Sequence, residues 1–91
     1  MTLSTNQFTL GTVAQIVCPP DIDPQRVYLH NHDHNNSKLI YFGNKDVTLA
    51  NGVHIDVGET IQLNLNRGEE LYAFSDPTGL KLGILRQKMD E

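Results

Sequence analysis

The chain has 91 residues, of which 38% are hydrophobic and 20% are charged, and a formal net charge of -4. This size predicts a single domain over residues 1–91, because a second hydrophobic core has no room. The seven Lys and Arg residues are scattered along the chain, which excludes a nucleic-acid binder that follows a phosphate backbone with a basic patch.

The amino-terminal segment, MTLSTNQFTL, has neither a basic start nor a long apolar run, so it predicts no secretory signal. No stretch approaches the ~18 apolar residues of a membrane-spanning helix, and we expect no membrane partner. The stretch FTLGTVAQIV predicts a first strand that bends at Gly11. Residues 1–6, and residues 87–91 at the other end, are expected to be flexible or to be ordered by a partner.

The segment CPPDIDPQ comes next and holds three prolines, Pro19, Pro20 and Pro24. Because proline lacks an amide hydrogen, these residues cannot join a central sheet, and the segment is predicted to be a rigid surface connector. Cys18 at its start is expected to be a buried apolar residue at a strand end. As the chain's single cysteine, it cannot form an internal disulfide.

The stretch HNHDHNN, residues 30–36, lies between RVYLHN and KLIYFGN, which predict a pair of strands. In an extended strand His30, His32 and His34 would share one face at a spacing that suits zinc or nickel. The surrounding Asn, Asp and Ser residues are typical of turns. We therefore expect a polar hairpin loop without a bound metal or other cofactor, and we keep the three histidines as the candidate metal ligands.

The rest of the chain alternates between apolar and polar residues, which is the pattern of half-buried strands. DVTLANGVHID carries the hairpin signal Asn51-Gly52, and TIQLNLN and ELYAFS flank Gly68 with the spacing of a second hairpin. LKLGIL follows the turn residues DPTG and places Leu80 and Leu82 on one face. The predicted fold class is all-β, a small antiparallel β-sandwich or barrel of about 7–8 short strands.

Catalytic chemistry finds little support, and we expect no enzyme activity. Cys18 has no neighbouring base, and Glu69 and Glu70 point to opposite faces of a strand. Neither a serine nucleophile motif nor a glycine-rich phosphate loop is present. Contacts with partners are assigned instead to apolar and aromatic residues of the predicted strands. These interface candidates are Phe8, Leu10, Tyr28 and Tyr72.

A longer pattern, IYFGNKDVTLANGVHIDVGETIQLNLNRGEELYAFS, dominates the region 27–86. In it a strand ends at Gly43-Asn44, Gly58-Glu59 opens an alternating strand, and GEELYA follows that strand. The pattern resembles small β-sandwich virion proteins of tailed bacteriophages. The resemblance implies a capsid decoration or cement protein that is made in the host cytoplasm, lies on the capsid surface and binds the lattice of the major capsid protein or another virion protein.

Two alternatives to this role stay open. One is a carbohydrate- or receptor-binding module of the virion, in which Tyr28, Tyr72 and the polar loop contact sugars. The other is a metal-binding protein of cupin-like fold, with the three histidines as ligands. A homo-oligomer, a dimer or a trimer, is expected because so small a domain buries little surface by itself.

The amino-terminal segment is the candidate arm for contact with a capsid subunit, because an edge strand can pair with another chain. On this interpretation, deletion of residues 1–10 abolishes particle binding and leaves the fold intact.

Overall fold

The computed structural model describes residues 2–32, 39–48, 50–56, 58–76 and 79–88. These residues form eight strands: β1 (Thr2–Leu10), β2 (Gln15–Cys18), β3 (Gln25–Asn31), β4 (Leu39–Gly43), β5 (Val53–Ile55), β6 (Thr60–Leu65), β7 (Leu71–Asp76) and β8 (Leu80–Lys88). Among them no helix could serve as a membrane span.

The strands pair in a nested order, so that the chain resembles one long hairpin folded over on itself. β4 pairs with β5, β3 with β6, β2 with β7 and β1 with β8, all antiparallel. The pairs β3 with β8 and β4 with β7 join these ribbons into two four-stranded sheets. Sheet I has the order β1-β8-β3-β6 and sheet II the order β2-β7-β4-β5. This is a jelly-roll sandwich, and the predicted antiparallel all-β class is confirmed.

The core lies between the two sheets and follows the predicted alternation. On β8 Leu80, Leu82 and Ile84 are buried, and on β6 Leu65 is buried while Gln62 and Asn64 are exposed. A fully buried Leu or Ile contributes about 1.5–3 kcal/mol relative to an exposed one. The buried cluster draws on both sheets: Leu10, Val17, Cys18, Val27, Leu29, Ile40, Ile55, Leu65, Leu71, Ala73, Leu80, Leu82 and Ile84.

Two predicted hairpins are wrong, because their strands belong to different sheets. β3 and β4 flank the histidine stretch without pairing, and β6 and β7 flank Gly68 without pairing. Gly68 does take the left-handed conformation expected of a turn glycine, with φ 78°, and its N–H donates to the Asp21 carbonyl. β4 and β5 do form a hairpin, but Asn51-Gly52 lies at the start of β5 rather than between two further strands.

The stretch predicted as one bent strand is two strands in different sheets. β1 ends at Leu10 in sheet I, and β2 begins at Gln15 in sheet II. The crossing is held by Ser75, whose N–H donates to the Gly11 carbonyl at 2.9 Å and whose Oγ donates to the Leu10 carbonyl at 3.1 Å. Ser75 is fully buried. Its hydroxyl therefore gives the Leu10 carbonyl, at the point where the chain leaves sheet I, a hydrogen-bond donor away from water.

The terminal segments of the described chain pair with each other. β1 runs beside β8 along its whole length, from Thr2 opposite Lys88 to Leu10 opposite Leu80. Leu10 is only 1% exposed. Removal of residues 1–10 would strip a strand from sheet I and uncover the core, so the expectation that this deletion leaves the fold intact is wrong.

Candidate interaction surfaces

The edges of sheet I are long and uncharged. β1 has nine residues, TLSTNQFTL, and β6 has six, TIQLNL. Neither contains a charged residue or a proline, the devices by which natural sheets commonly blunt an edge. Within the part of the chain that the structure describes, each of these strands pairs with a sheet neighbour on one side only. The other side therefore presents backbone N–H and C=O groups that another strand can bond.

The edges of sheet II offer far less. β2 has four residues and is followed directly by Pro19 and Pro20, and β5 has three residues. The pairing of β2 with β7 is also interrupted by a register shift between Ile16 and Cys18. Short strands, prolines and irregular register all limit how many backbone bonds a neighbouring chain could form here.

The outer face of sheet I carries two of the three candidate metal ligands. His30 lies in β3, and its Nδ1 is 2.7 Å from the Thr60 hydroxyl on β6. The rings of His30 and His32 meet edge to face, with centroids 4.7 Å apart. The His32 ring lies over Gly83 of β8, where a Cβ would collide with it. A glycine at this position therefore makes room for an imidazole.

This arrangement changes the expectation for the histidine stretch. β3 continues through Asn31, so the first residues of the stretch belong to a strand rather than to a hairpin loop. Asn31 itself is buried, and its Nδ2 donates to the Ile55 carbonyl. Among the described residues no group of three His, Cys, Asp or Glu side chains could hold a metal ion; His34 lies outside the described residues. The two histidines also face away from the space between the sheets, where a cupin-like interior site would lie.

The outer face of sheet II is partly covered. Phe74 of β7 is only 6% exposed although it points away from the core. Its ring stacks on Tyr41 of β4 with centroids 5.2 Å apart, and His54 of β5 meets Tyr41 from the other side. Val47, in the connection between β4 and β5, packs against Gly43 and Gly52 and is itself buried. This connection therefore folds back onto the sheet.

Beside this cover lies an apolar groove of about 550 Å³, here called the Phe74 groove. One wall is the connection between β1 and β2, the other is the connection between β4 and β5, and the last residues of β7 form the floor. The residues that line it are Thr12, Ala14, Val47, Thr48, Ala50, Phe74, Ser75 and Asp76.

Residues 19–24 form a rigid projection at one end of the sandwich, here called the Ile22 knuckle. Asp21 holds its base: Oδ1 accepts from the Asp23 N–H at 3.1 Å, Oδ2 pairs with Lys88 Nζ at 2.9 Å, and the backbone carbonyl accepts from Gly68. The hydrogen bond from Lys88 lowers the pKa of Asp21, and the same contact raises the pKa of Lys88. Ile22, which lies between Asp21 and Asp23 in the chain, is 84% exposed. The predicted surface connector is thus confirmed.

The four interface candidates lie in different environments. Leu10 is a core residue with no surface to offer a partner, and Phe8 packs partly against the core. Tyr28 lies on the outer face of sheet I, beside His30, and Tyr72 lies on the outer face of sheet II, opposite Gly43. The two tyrosines are therefore on opposite sides of the sandwich and cannot contact one sugar together.

Cys18 is buried between the sheets, as predicted, and is 0% exposed. Its Sγ is 3.5 Å from Gln25 Oε1 and receives an N–H from Arg86 at 4.0 Å. Burial raises the pKa of the Cys18 thiol, and the Arg86 guanidinium opposes that rise. A buried, protonated thiol is a poor nucleophile and a poor partner for a disulfide with another chain.

The sequence reasoning missed the surfaces that the fold makes most prominent. Ile22 belongs to the predicted connector, and its place among prolines and aspartates is the signal in the sequence that could have indicated an exposed apolar residue. The sequence predicts a first strand over 8–17 and a flexible or partner-ordered segment at 1–6, and nothing in the pattern indicates that 2–10 and 60–65 become edges of the same sheet.

Neither a protein-family model nor a curated protein matches the chain. A solved structure from a study of Bacillus endospore appendages, described there as a novel family of disulfide-linked pili, is similar to it with a TM-score of 0.55. The alignment covers 98% of this chain and 87% of that chain at 13% identity, so the likeness is one of fold. The neighbour is a small β-rich structural protein of bacteria. These comparisons show no phage family, and the resemblance to virion proteins gains no support.

Proposed function

We propose that this chain is a structural subunit that binds copies of itself, with β1 of one copy pairing with β6 of the next. The observation that carries the proposal is the pair of long, uncharged edges on opposite sides of sheet I. The fold likeness to a pilus protein supports a structural, non-enzymatic role. Capsid decoration has no comparable support from the comparisons, and the proposed partner is a second copy rather than a capsid protein.

The strand directions favour this pairing. All neighbours in sheet I are antiparallel, so β1 and β6, at the two ends of four strands, run in opposite directions. A second copy in the same orientation therefore places its β1 antiparallel to β6 of the first, and the sheet continues without a break. Contacts between two different surfaces of one chain do not close into a two-fold dimer, and such contacts generate rings or open filaments.

One junction of this kind is modest in strength. β6 has six residues, and pairing it with another strand forms about six backbone hydrogen bonds, each with a net contribution on the order of 1 kcal/mol. This total is comparable with the loss of translational and rotational freedom on association, about 4–15 kcal/mol. Assembly thus depends on repetition of the junction and on further contacts. Each added subunit contributes four strands, about 19 Å of sheet.

Contacts between copies of this chain are proposed to be non-covalent. The solved neighbour is described as disulfide-linked, but the single cysteine of this chain is 0% exposed. Assemblies are expected to dissociate in denaturing gel electrophoresis without a reducing agent. A ladder of oligomers that collapses only with reductant would contradict this.

Growth of assemblies from the purified chain tests the proposal directly. Light scattering and electron microscopy over a dilution series are expected to show assemblies with a repeat near 19 Å along the sheet. A synthetic peptide of residues 2–10 is expected to cap the β6 edge and to slow growth, and a peptide of the same composition in scrambled order is the control. A chain that stays monomeric up to about 1 mM overturns self-association, and growth that is indifferent to the peptide overturns the edge pairing.

A further inference from the structure

The Ile22 knuckle is shaped as a docking element. The Ile22 side chain is 84% exposed, while the backbone around it is fixed by the Asp21 bonds to Asp23, Lys88 and Gly68. The flanking prolines restrict the segment further. A rigid segment loses little conformational freedom when it binds, so more of its contact energy appears as affinity.

The Phe74 groove is a complementary receptor elsewhere on the same chain. Its walls carry Ala14, Val47 and Ala50 together with two threonines, its floor is the Phe74 ring with Ser75 and Asp76 beside it, and its volume of about 550 Å³ exceeds that of one isoleucine side chain. It therefore has room for Ile22 together with part of a flanking proline.

The knuckle cannot fill its own groove. Asp21 bonds Gly68, before β7 begins, whereas the groove floor is Phe74, Ser75 and Asp76, in the second half of β7. At ~3.3 Å per residue, the floor starts about 10 Å along the strand from its first residue. The two features can meet only between different copies.

We propose that the Ile22 knuckle of one copy enters the Phe74 groove of a second copy. The inference rests on the proposed function, since it supplies a further contact between the same subunits. It differs in direction, because edge pairing adds copies across the strands of sheet I, whereas this contact joins copies along the strands. An apolar projection that fits a groove elsewhere on the same molecule is a known route to extended assembly.

Cysteine cross-linking between two variants tests the contact. In a Cys18→Ala background, a protein with Ile22→Cys is mixed with a second protein that carries Ala14→Cys, and the mixture is oxidised. A mixed disulfide dimer is expected in high yield. The control partner carries Lys81→Cys, an exposed position on the outer face of sheet I, and is expected to cross-link at least tenfold less. Equal yields from both partners overturn the inference.

Substitution of the knuckle gives an independent readout. Ile22→Ser is expected to raise the protein concentration required for assembly at least tenfold, and Ala50→Phe, which fills the groove, is expected to do the same. Val53→Ser removes a comparably exposed side chain, 59% exposed, from β5, outside the β1 and β6 edges, the knuckle and the groove, and is expected to leave that concentration unchanged. Circular dichroism confirms the fold of each variant.

The outcomes separate the two proposals. If the wild-type chain never self-associates, the proposed function fails and this inference fails with it. If the wild-type chain assembles and the edge peptide inhibits growth, but Ile22→Ser and Ala50→Phe behave like the wild type, only the knuckle contact is overturned.

Discussion

Sheets I and II contribute four strands each to one core, yet their outer parts differ. Sheet I leaves edge strands of nine and six residues open, and sheet II leaves edges of four and three. The outer face of sheet II is instead covered in part by the connection between β4 and β5, which buries Phe74 and borders a groove. A small sandwich can thus offer its hydrogen-bonding capacity on one sheet and an apolar receptor on the other.

The difference follows from the path of the chain. In the nested antiparallel arrangement β1 is the first strand and pairs along its whole length with β8, so its other side lies at the edge of sheet I. β5, which follows directly after the innermost connection, is short and lies next to the segment that returns over β4. We expect the exposed edges of sheet I and the covered outer face of sheet II to respond differently to substitution.

The largest expected effect is on the outer face of sheet II. Phe74→Ala is predicted to lower the free energy of unfolding by about 3–5 kcal/mol, because the ring is buried and stacks on Tyr41. The matched change on sheet I is Tyr28→Ala, whose ring is half-buried, with a predicted loss of about 1–2 kcal/mol. Urea denaturation of both variants measures the difference. Equal losses in the free energy of unfolding would contradict the prediction that the outer face of sheet II contributes more to stability than that of sheet I.

The second effect concerns the edges. Thr5→Lys with Gln7→Lys places two charges on β1, and the concentration required for assembly is predicted to rise at least tenfold, about 1.4 kcal/mol per junction. Ile16→Lys places a charge on β2, the edge of sheet II, and is predicted to change that concentration by less than about threefold. Sedimentation over a concentration series measures both. A stronger effect from Ile16→Lys would assign the junction to sheet II.

A smaller effect arises where the sheets meet, at Cys18 of sheet II and Arg86 of sheet I. Burial raises the pKa of the Cys18 thiol above its ordinary value of 9.0. As the pH rises from about 8 to about 10, the unfolded chain loses this proton before the folded chain does, and the free energy of unfolding falls. The contribution is fully present below 9.0 and is lost above it.

Thermal denaturation at the two pH values, for the wild type and for Cys18→Ala, measures this contribution. The melting temperature of the wild type is expected to fall more steeply with pH than that of the variant. Lys88, whose pKa is raised by Asp21, is present in both proteins, so its contribution cancels in the comparison. Melting temperatures that fall in parallel for the two proteins would show that the Cys18 thiol does not contribute to the pH dependence of stability.

The smallest effect is at Gly83 on sheet I, under the His32 ring. Gly83→Ala gains about 0.5–1 kcal/mol from reduced backbone freedom, but the new methyl group displaces an exposed imidazole. The net change in unfolding free energy is predicted to lie within about 1 kcal/mol. In a His32→Ala background the same substitution is predicted to be more favourable, which a double-mutant cycle measures. An identical change in both backgrounds would show that His32 does not occupy the space over Gly83.

Much of the local structure was predictable from the sequence, for a physical reason. Alternation in TIQLNLN and LKLGIL names the residues on each face of a strand, since successive side chains point to opposite sides. Turn residues name the points where the chain reverses, as at Gly68. The burial of Cys18 followed from its place at a strand end.

The candidate surfaces were less predictable, because they arise from neighbours distant in sequence. Leu10 and Tyr28 look alike as apolar members of alternating strands, yet one is a core residue and the other lies on the outer face of sheet I. Likewise, His32 acquires its position from Gly83, 51 residues later in the chain.

By itself the sequence determined the all-β class, the positions of most strands and turns, and the supply of apolar side chains for a single core. Only the tertiary structure decided which strands became neighbours and which became edges. The reason is that a period of two specifies the two faces of a strand but says nothing about the strand beside it. Pairing is selected by the burial of both inner faces at once, and that selection left β1 and β6 open, covered Phe74 and exposed Ile22.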